Sequence, residues 1–421
     1  MTLQTHGTFF GWRVVAAVFV LAMFGWGFGF YGPPVYLHAV REARGWSLSL
    51  VSAAVTTHFL VGALVVANLP KLYARFTLGR VTKAGAIAAA LGVFGWAVAQ
   101  EPWQLFAATV LSGGGWVTMG AAAVNAIIAP WFVRTRPAAL ASAYNGASIG
   151  GVIFSPLWVA AIGLLGFAGA AAAMGLVMVV TIWVLADLYY AKTPETMGLQ
   201  ADGGTAGTVA ASVTSPSAVV LNGRELWRDW RFRTLALGMA LGLFAQVGLL
   251  AHLFSLLVPA LGAGYAGLAA GLATASAIVG RTLFGWLMPV GADRRLFACA
   301  SYGVQIAGVV AFLLAGGASL PLLLVGVVLF GFGIGNATSL PPLIAQVEFA
   351  KEDAARVVPA IVATAQATYA FAPAFFGIVR ELAPLWAWPE TAAPLVFLLV
   401  ISIKAIAIAA LLAGRRARLS R

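Results

Sequence analysis

Long apolar runs follow one another almost without pause along this chain, and they leave it few ways to fold. Hydrophobic residues make up 62% of the 421, and charged residues only 9%. A soluble domain carries about 25% charged residues, so this chain lacks the charge to keep a soluble surface wet. The runs are continuous and do not alternate with period two, which favours membrane helices over a membrane barrel. At roughly 20 residues per span plus short turns, the length holds about twelve helices.

The spans are read as 12–36, 47–69, 82–100, 104–132, 137–164, 166–190, 233–260, 264–290, 296–317, 319–347, 357–381 and 391–413. Trp12, Trp46, Trp103, Trp131, Trp227, Trp230, Trp386 and Trp388 fall near span ends, as an interfacial aromatic belt requires. With both termini in the cytoplasm, twenty of the 25 lysines and arginines lie on that side. Only Arg41, Arg44 and Arg380 lie opposite, and Arg281 and Lys404 lie within spans. This bias predicts an integral membrane protein with cytoplasmic termini. It also accounts for the net charge of +12 without nucleic acid as a partner. The first apolar run is too long for a signal-peptide core, so no cleaved leader is expected.

The longest polar stretch, 191–232, divides the chain into halves at 1–190 and 233–421. Its first part is rich in Gly, Ala, Ser and Thr and reads as flexible linker. Its last part, GRELWRDWRFR, suits a short helix on the membrane surface. The halves repeat features at matching places. LPKLYARFTLGR follows the second span of one half and MPVGADRR the second span of the other. The expectation is therefore an all-α membrane protein of twelve helices in two six-helix, pseudo-symmetric halves. Many secondary transporters are built this way, with the solute site near the midplane.

One charge breaks the apolar pattern. Arg281 lies in GYAGLAAGLATASAIVGRTLFGWLMPV, 264–290, roughly 13 Å from the end of that span. An arginine at such depth costs a few kcal/mol or more, and it usually faces a bundle interior or a water-filled cavity. None of the 13 acidic residues lies deep in a span; Asp187, about a turn from a span end, comes nearest. The reading is that Arg281 takes the carboxylate of a solute, which its planar fork suits. With no second intramembrane cation near it, a monoanion is favoured.

Other chemistry is thin. Cys299 is the single cysteine, so no intramolecular disulfide or cysteine metal cluster arises. Gly146-Ala147-Ser148-Ile149-Gly150 fits G-x-S-x-G but lies inside a small-residue helix, where close packing is the better account. No phosphate-binding loop or metal set appears. Neither an enzyme nor a cofactor is expected.

Twelve spans split six and six, with basic turns after spans two and eight, resemble the major facilitator superfamily. More narrowly, PWFVRTRPAALASAYNGASIGG at 130–151, followed by Pro156, is similar to the span 4–5 signature of monocarboxylate transporters. IVGRTLFGWL at 278–287 resembles the segment carrying that family's substrate-binding arginine, at Arg281. The opening FFGWRVVAAVFVLAMFGWGFGF is similar to bacterial relatives that include oxalate/formate antiporters. The chain departs from these patterns at Ala74 and Pro289, where the basic turns usually hold an acidic residue or its equivalent. It departs again at Ala277, where animal relatives carry Asp, and at YGPPVY, where they carry a lysine.

The resemblance implies a secondary transporter of a small organic anion, a monocarboxylate, working by alternating access as a monomer. The alternative is a major facilitator exporter of a drug-like or other small solute. Besides Arg281, the substrate-contact candidates are Tyr31, Asn125, Tyr144, Asn145, Gln246, Asn336 and Tyr369. His252 and His58 are candidates for carrying a coupled proton; exchange against a counter-anion would need neither. Lys71, Arg75, Arg80, Arg294 and Arg295 are candidates for a cytoplasmic gate that contacts helix C-termini.

Overall fold

The computed structural model describes residues 9–203, 223–289, 292–382 and 394–419. Trp386 and Trp388 lie outside the described residues. Fourteen α-helices carry nearly all of the described chain, and ten of its helical stretches are long and apolar enough to cross a membrane.

The helices are α1 (Phe10–Gly29), α2 (Pro33–Arg44), α3 (Leu48–Phe76), α4 (Leu78–Val98), α5 (Pro102–Trp116), α6 (Ala121–Ile128) and α7 (Arg136–Leu185). After them come α8 (Gly223–Arg228), α9 (Trp230–Leu287), α10 (Arg294–Ala315), α11 (Leu320–Glu348), α12 (Lys351–Tyr369), α13 (Ala372–Leu382) and α14 (Pro394–Leu419). At 50 and 58 residues, α7 and α9 are each two to three times the roughly 20 residues a bilayer needs. Each is broken once, at Gly166 (φ 69°, ψ 168°) and at Gly262 (φ 72°, ψ 163°). Only glycine occupies that region readily, so one residue turns the chain where a loop would otherwise be needed. Dividing the two helices there turns ten stretches into twelve spans, at the boundaries the sequence indicated.

Other spans are interrupted rather than joined. Pro33 and Pro34 start α2 after a break from α1. Span four divides at Gly120 into α5 and α6, with a 3₁₀ turn at Val117–Met119 between them. Span eleven divides between α12 and α13, just before Pro373. Pro156, Pro341 and Pro342 stay inside helices.

Two compact units are present. The first comprises Met1–Gly32, Val61–Phe154 and Ala161–Val213; the second comprises Pro33–Leu60, Ser155–Ala160 and Thr214–Arg421. Small residues set the packing in each, because lipid supplies no hydrophobic drive between helices. In the first unit Gly92 lies against Ser112 of α5, and Gly115 against Gly85 and Ala89 of α4. Gly150 of α7 approaches Met23 of α1, where a Cβ would sit 2.5 Å from the backbone oxygen. In the second unit Gly331 closes on Ala273 and Gly280 on Phe332, seating α9 on α11. Phe232, Leu235, Met239, Tyr302, Leu340, Ile344, Val357 and Leu411 form its buried apolar cluster. Leu164, Leu176, Leu268 and Leu314 instead point outward, the expected surface for lipid.

Two sequence readings change. Trp131, placed in the aromatic belt, is wholly buried, with Phe9 edge-on at 6.1 Å and Phe10 at 5.4 Å. Residues 191–203, read as flexible linker, dock on the first unit. Asp202 accepts hydrogen bonds from the backbone N–H groups of Val133, Arg134 and Thr135 at 3.1, 2.7 and 3.2 Å, and from the Thr135 hydroxyl at 2.8 Å. Its own N–H donates to the Trp131 carbonyl at 2.9 Å. Gly223–Arg228 does form a short helix, and Asp229 then caps α9 by accepting from Arg231 N–H at 2.7 Å.

Candidate functional site

Arg281 lies on the second limb of α9, six residues before the helix ends at Leu287. The sequence reading ran this span to Val290, so Arg281 starts nearer the end than expected. The helix stops early because Met288 is extended (φ −85°, ψ 104°), as a residue before proline prefers. Side-chain direction restores the depth. Long side chains on a helix lean toward its N-terminus, and the Arg281 guanidinium does so. It lies beside Gly335, at the midpoint of α11. A Cβ added to Gly335 would stand 2.9 Å from Arg281 Nε, 3.1 Å from Nη2 and 2.8 Å from the Ala277 carbonyl. The guanidinium thus occupies the space that a glycine leaves. The next residue, Asn336, is 1% exposed, and its Nδ2 has no hydrogen-bond partner among the described residues.

Gln246 belongs to a polar chain that the sequence reading did not assemble. Its Nε2 donates to the Ile334 carbonyl at 3.5 Å, one residue before Gly335. Its Oε1 accepts from Gln305 Nε2 at 2.8 Å. Gln305 Oε1 in turn accepts from Lys404 Nζ, which also donates to the Gly242 carbonyl at 3.1 Å. Gln246, Gln305 and Lys404 are all essentially out of solvent. The signal available in the sequence was a polar residue at mid-span: Gln305 near the middle of 296–317, and Lys404 near the middle of 391–413.

In the first unit, Asn125 on α6 and Tyr144 on α7 meet. Asn125 Nδ2 donates to Tyr144 Oη at 2.6 Å and to the Ala121 carbonyl at 2.9 Å, and Tyr144 donates to that same carbonyl at 3.2 Å. Trp26 stands edge-on to Tyr144 at 6.1 Å. Asn145, the neighbouring candidate, is exposed on another face of α7. Tyr31 sits in the break between α1 and α2, its ring 5.2 Å from Phe30.

Both proton candidates are buried in the second unit. His252 Nε2 lies 3.1 Å from the Pro373 carbonyl, which only accepts, so Nε2 carries the hydrogen. Nδ1 then turns its lone pair to Arg380 Nη1 at 3.4 Å. Arg380 also donates to the Ser255 hydroxyl at 2.7 Å. Both ring nitrogens of His252 are therefore occupied, and Arg380, counted from sequence among the basic residues opposite the cytoplasm, is buried at 7% exposed. His58 stacks edge-on to Phe59 at 5.3 Å, and Tyr369 meets the same ring at 6.1 Å. No group of three His, Cys, Asp or Glu that could hold a metal occurs among the described residues.

The pattern of spans finds its counterpart in known proteins. The family model of the Major Facilitator Superfamily matches residues 14–373. This chain belongs to that superfamily. No curated protein sequence matches it. Among solved structures it is similar to a bacterial homolog of the human lysosomal transporter Spinster, inward-facing and unoccupied. That match has a TM-score of 0.71 at 14% identity over 97% of this chain and 98% of the other. It is also similar to a D-xylose-proton symporter, with a TM-score of 0.71 at 14% identity over 96% and 97%. The nucleoside transporter NupG gives 0.66 at 12% identity over 96% and 98%. At these identities the likeness speaks for the fold. The superfamily consists of transporters, so this facilitator is an integral membrane protein that moves small solutes.

The facilitator's basic turns differ between its two units. Lys71, Arg75 and Arg80 are exposed, and Arg75 lies over the Phe76 ring at 5.1 Å. Arg294 donates to the Leu343 carbonyl, five residues before the end of α11, at 2.6 Å. Arg295 is buried. Its guanidinium binds both oxygens of Glu348 and also donates to Thr234 at 3.1 Å and to the carbonyls of Leu411 and Arg231 at 3.2 and 2.9 Å. Asp293 caps α10 and accepts from Arg415.

Proposed function

We propose that this facilitator is a secondary active transporter of a small organic anion, a monocarboxylate, and that Arg281 binds the carboxylate. The observation that carries the reading is the seat of the guanidinium against Gly335 at the midpoint of α11. A planar cation held there, one residue from the unpartnered Nδ2 of Asn336, suits a carboxylate's two oxygens. The transport cycle proposed is alternating access in a bacterial inner membrane, with both termini cytoplasmic. The charge bias supports that orientation, the more so once Arg380 is counted as buried.

The test is counterflow of radiolabelled L-lactate, pyruvate, D-xylose and uridine in proteoliposomes. Exchange of the two acids alone is expected. Arg281→Ala and Arg281→Lys should both abolish it, because an ammonium does not reproduce the fork. Wild-type counterflow in the alanine variant, or exchange of the neutral solutes only, overturns the assignment.

A further inference from the structure

Lys404 is placed where a lysine is hard to keep. It lies at the centre of the apolar stretch Pro394–Arg415 and is 0% exposed. Gln305 meets it, and Gln246 meets Gln305, each at the midpoint of its own helical segment, so the whole chain of contacts lies level with the middle of the spans. The partners of Nζ are the Gly242 carbonyl and Gln305 Oε1, with the Tyr302 ring 4.9 Å away. All three are neutral. Among the described residues no carboxylate lies within ion-pair distance. A buried charge without a countercharge is costly, yet both partners are acceptors that a neutral amine satisfies equally well. The site therefore accommodates the nitrogen with or without its extra proton, and no partner has to turn over.

The elements packed against this part of α14 carry few groups that compete for the proton. Tyr302 faces Lys404 directly from α10. Cys299, on the same helix, points to the Ile408 carbonyl one turn further along α14, at 3.9 Å. Arg295 is committed to Glu348 at the start of α10. On α9, His252 lies six residues beyond Gln246 and is held by Pro373 and Arg380, the latter on α13.

We propose that the Lys404 amine is a proton-binding site of this transporter and that Gln305 and Gln246 link its charge to the solute site. The link is geometric. Lys404 bonds Gln305, Gln305 bonds Gln246, and Gln246 bonds the Ile334 carbonyl beside Gly335, the residue on which the Arg281 guanidinium lies. Only one N–H bond forms or breaks: the Nζ lone pair takes a proton from water on one side of the membrane and returns it to water on the other. In a low-dielectric interior, an anion at Arg281 eases retention of that proton, and the proton eases binding of the anion to the same degree. Two cations without the anion repel, which disfavours carrying a proton alone. The coupling rests on the carboxylate reading above; the proton site itself does not.

The experiment has two arms. In proteoliposomes, L-lactate counterflow at equal pH is compared with lactate accumulation driven by a pH gradient. Lys404→Met and Lys404→Arg are expected to lose accumulation driven by the pH gradient, since neither side chain exchanges a proton, and to lose proportionally less counterflow, which needs no net proton movement. Accumulation retained in either variant overturns the proposal. Absence of lactate counterflow in the wild type would instead overturn the carboxylate reading. The second arm is independent of the solute and of variant folding. Full-length protein carrying Cε-¹³C lysine is placed in nanodiscs and followed by NMR as pH is stepped across its folded range. The lysine signal not accounted for by Lys71, Lys83, Lys192 and Lys351 is expected to move with pH. A Lys404 signal that stays fixed throughout overturns the proton site, whatever solute is carried.

Discussion

Arg295 holds Glu348 through two hydrogen bonds, Nε to Oε1 at 2.7 Å and Nη2 to Oε2 at 2.8 Å, with the side chains 1% and 3% exposed. The pair ties the start of α10 to the end of α11. Removing one partner strands the other charge away from water. Glu348→Ala is therefore expected to destabilise the second unit by about 3–5 kcal/mol. Replacing both, as Arg295→Met with Glu348→Leu, should recover much of that loss. Thermal unfolding in detergent, single variants against the double, checks it; equal losses in all three would contradict it.

Gly335 makes room for Arg281. In Gly335→Val the new side chain meets the Ala277 carbonyl and the guanidinium, so the arginine must leave its seat. Carboxylate transport is expected to fall steeply while the protein still folds, because the guanidinium is the more yielding neighbour. Gly335→Ala should show a smaller effect of the same sign. Initial rates of L-lactate counterflow, measured beside thermal midpoints, separate a lost site from a lost fold.

Asp202 fixes residues 131–135 to the segment that follows α7. Partial burial works to raise its carboxyl, but the hydrogen bonds from Arg134, Thr135 and Val133 outweigh this and hold it below the usual carboxylate range. A carboxyl whose folded value is depressed contributes its stabilisation above the unfolded value, roughly pH 3.9. That contribution is lost as pH falls through the folded value. Amide exchange at Val133, Arg134 and Thr135 is expected to stay slow near neutrality and quicken, beyond the intrinsic pH effect, only in acid. Asp202→Ala should make it fast at neutral pH as well. Unchanged protection in the variant would show that the loop is held by something else.

Tyr144→Phe removes the acceptor of Asn125 Nδ2 and the donor to the Ala121 carbonyl. Asn125 keeps its bond to Ala121. The expected loss of stability is modest, about 0.6–2 kcal/mol, as for other hydrogen bonds between membrane helices. If lactate counterflow falls much more than stability does, Tyr144 also contacts solute; if the two fall together, its role is to join α6 to α7.

Arg380 shows how a local reading fails. It stands two residues from the end of α13, beside Glu381, whose side chain accepts from Ser49 N–H at 2.9 Å. By sequence it counts only as one of three basic residues on the side opposite the cytoplasm. Burial depends on Ser255 and His252, more than 120 residues earlier, which no local pattern foretells. Glu348 is enclosed in the same way, by the approach of α10 and α9.

What the chain alone determined is the part set by composition and covalent geometry. Continuous apolar runs have to become helices in lipid, where every backbone N–H and C=O must be bonded within its own segment. The divisions between spans five and six and between spans seven and eight were legible, but that Gly166 and Gly262 make those turns with positive φ was seen only in the structure. Arg281 had to be exceptional on cost alone. The tertiary structure decided which polar groups meet. Lys404, Gln305 and Gln246 come from three segments that are distant in sequence, and Arg281 finds its seat only because α11 presents a glycine at that level. In lipid, helices associate through close packing and buried hydrogen bonds, with little hydrophobic drive. Their pairing is therefore written in side-chain complementarity across the bundle, which the sequence does not display along its length.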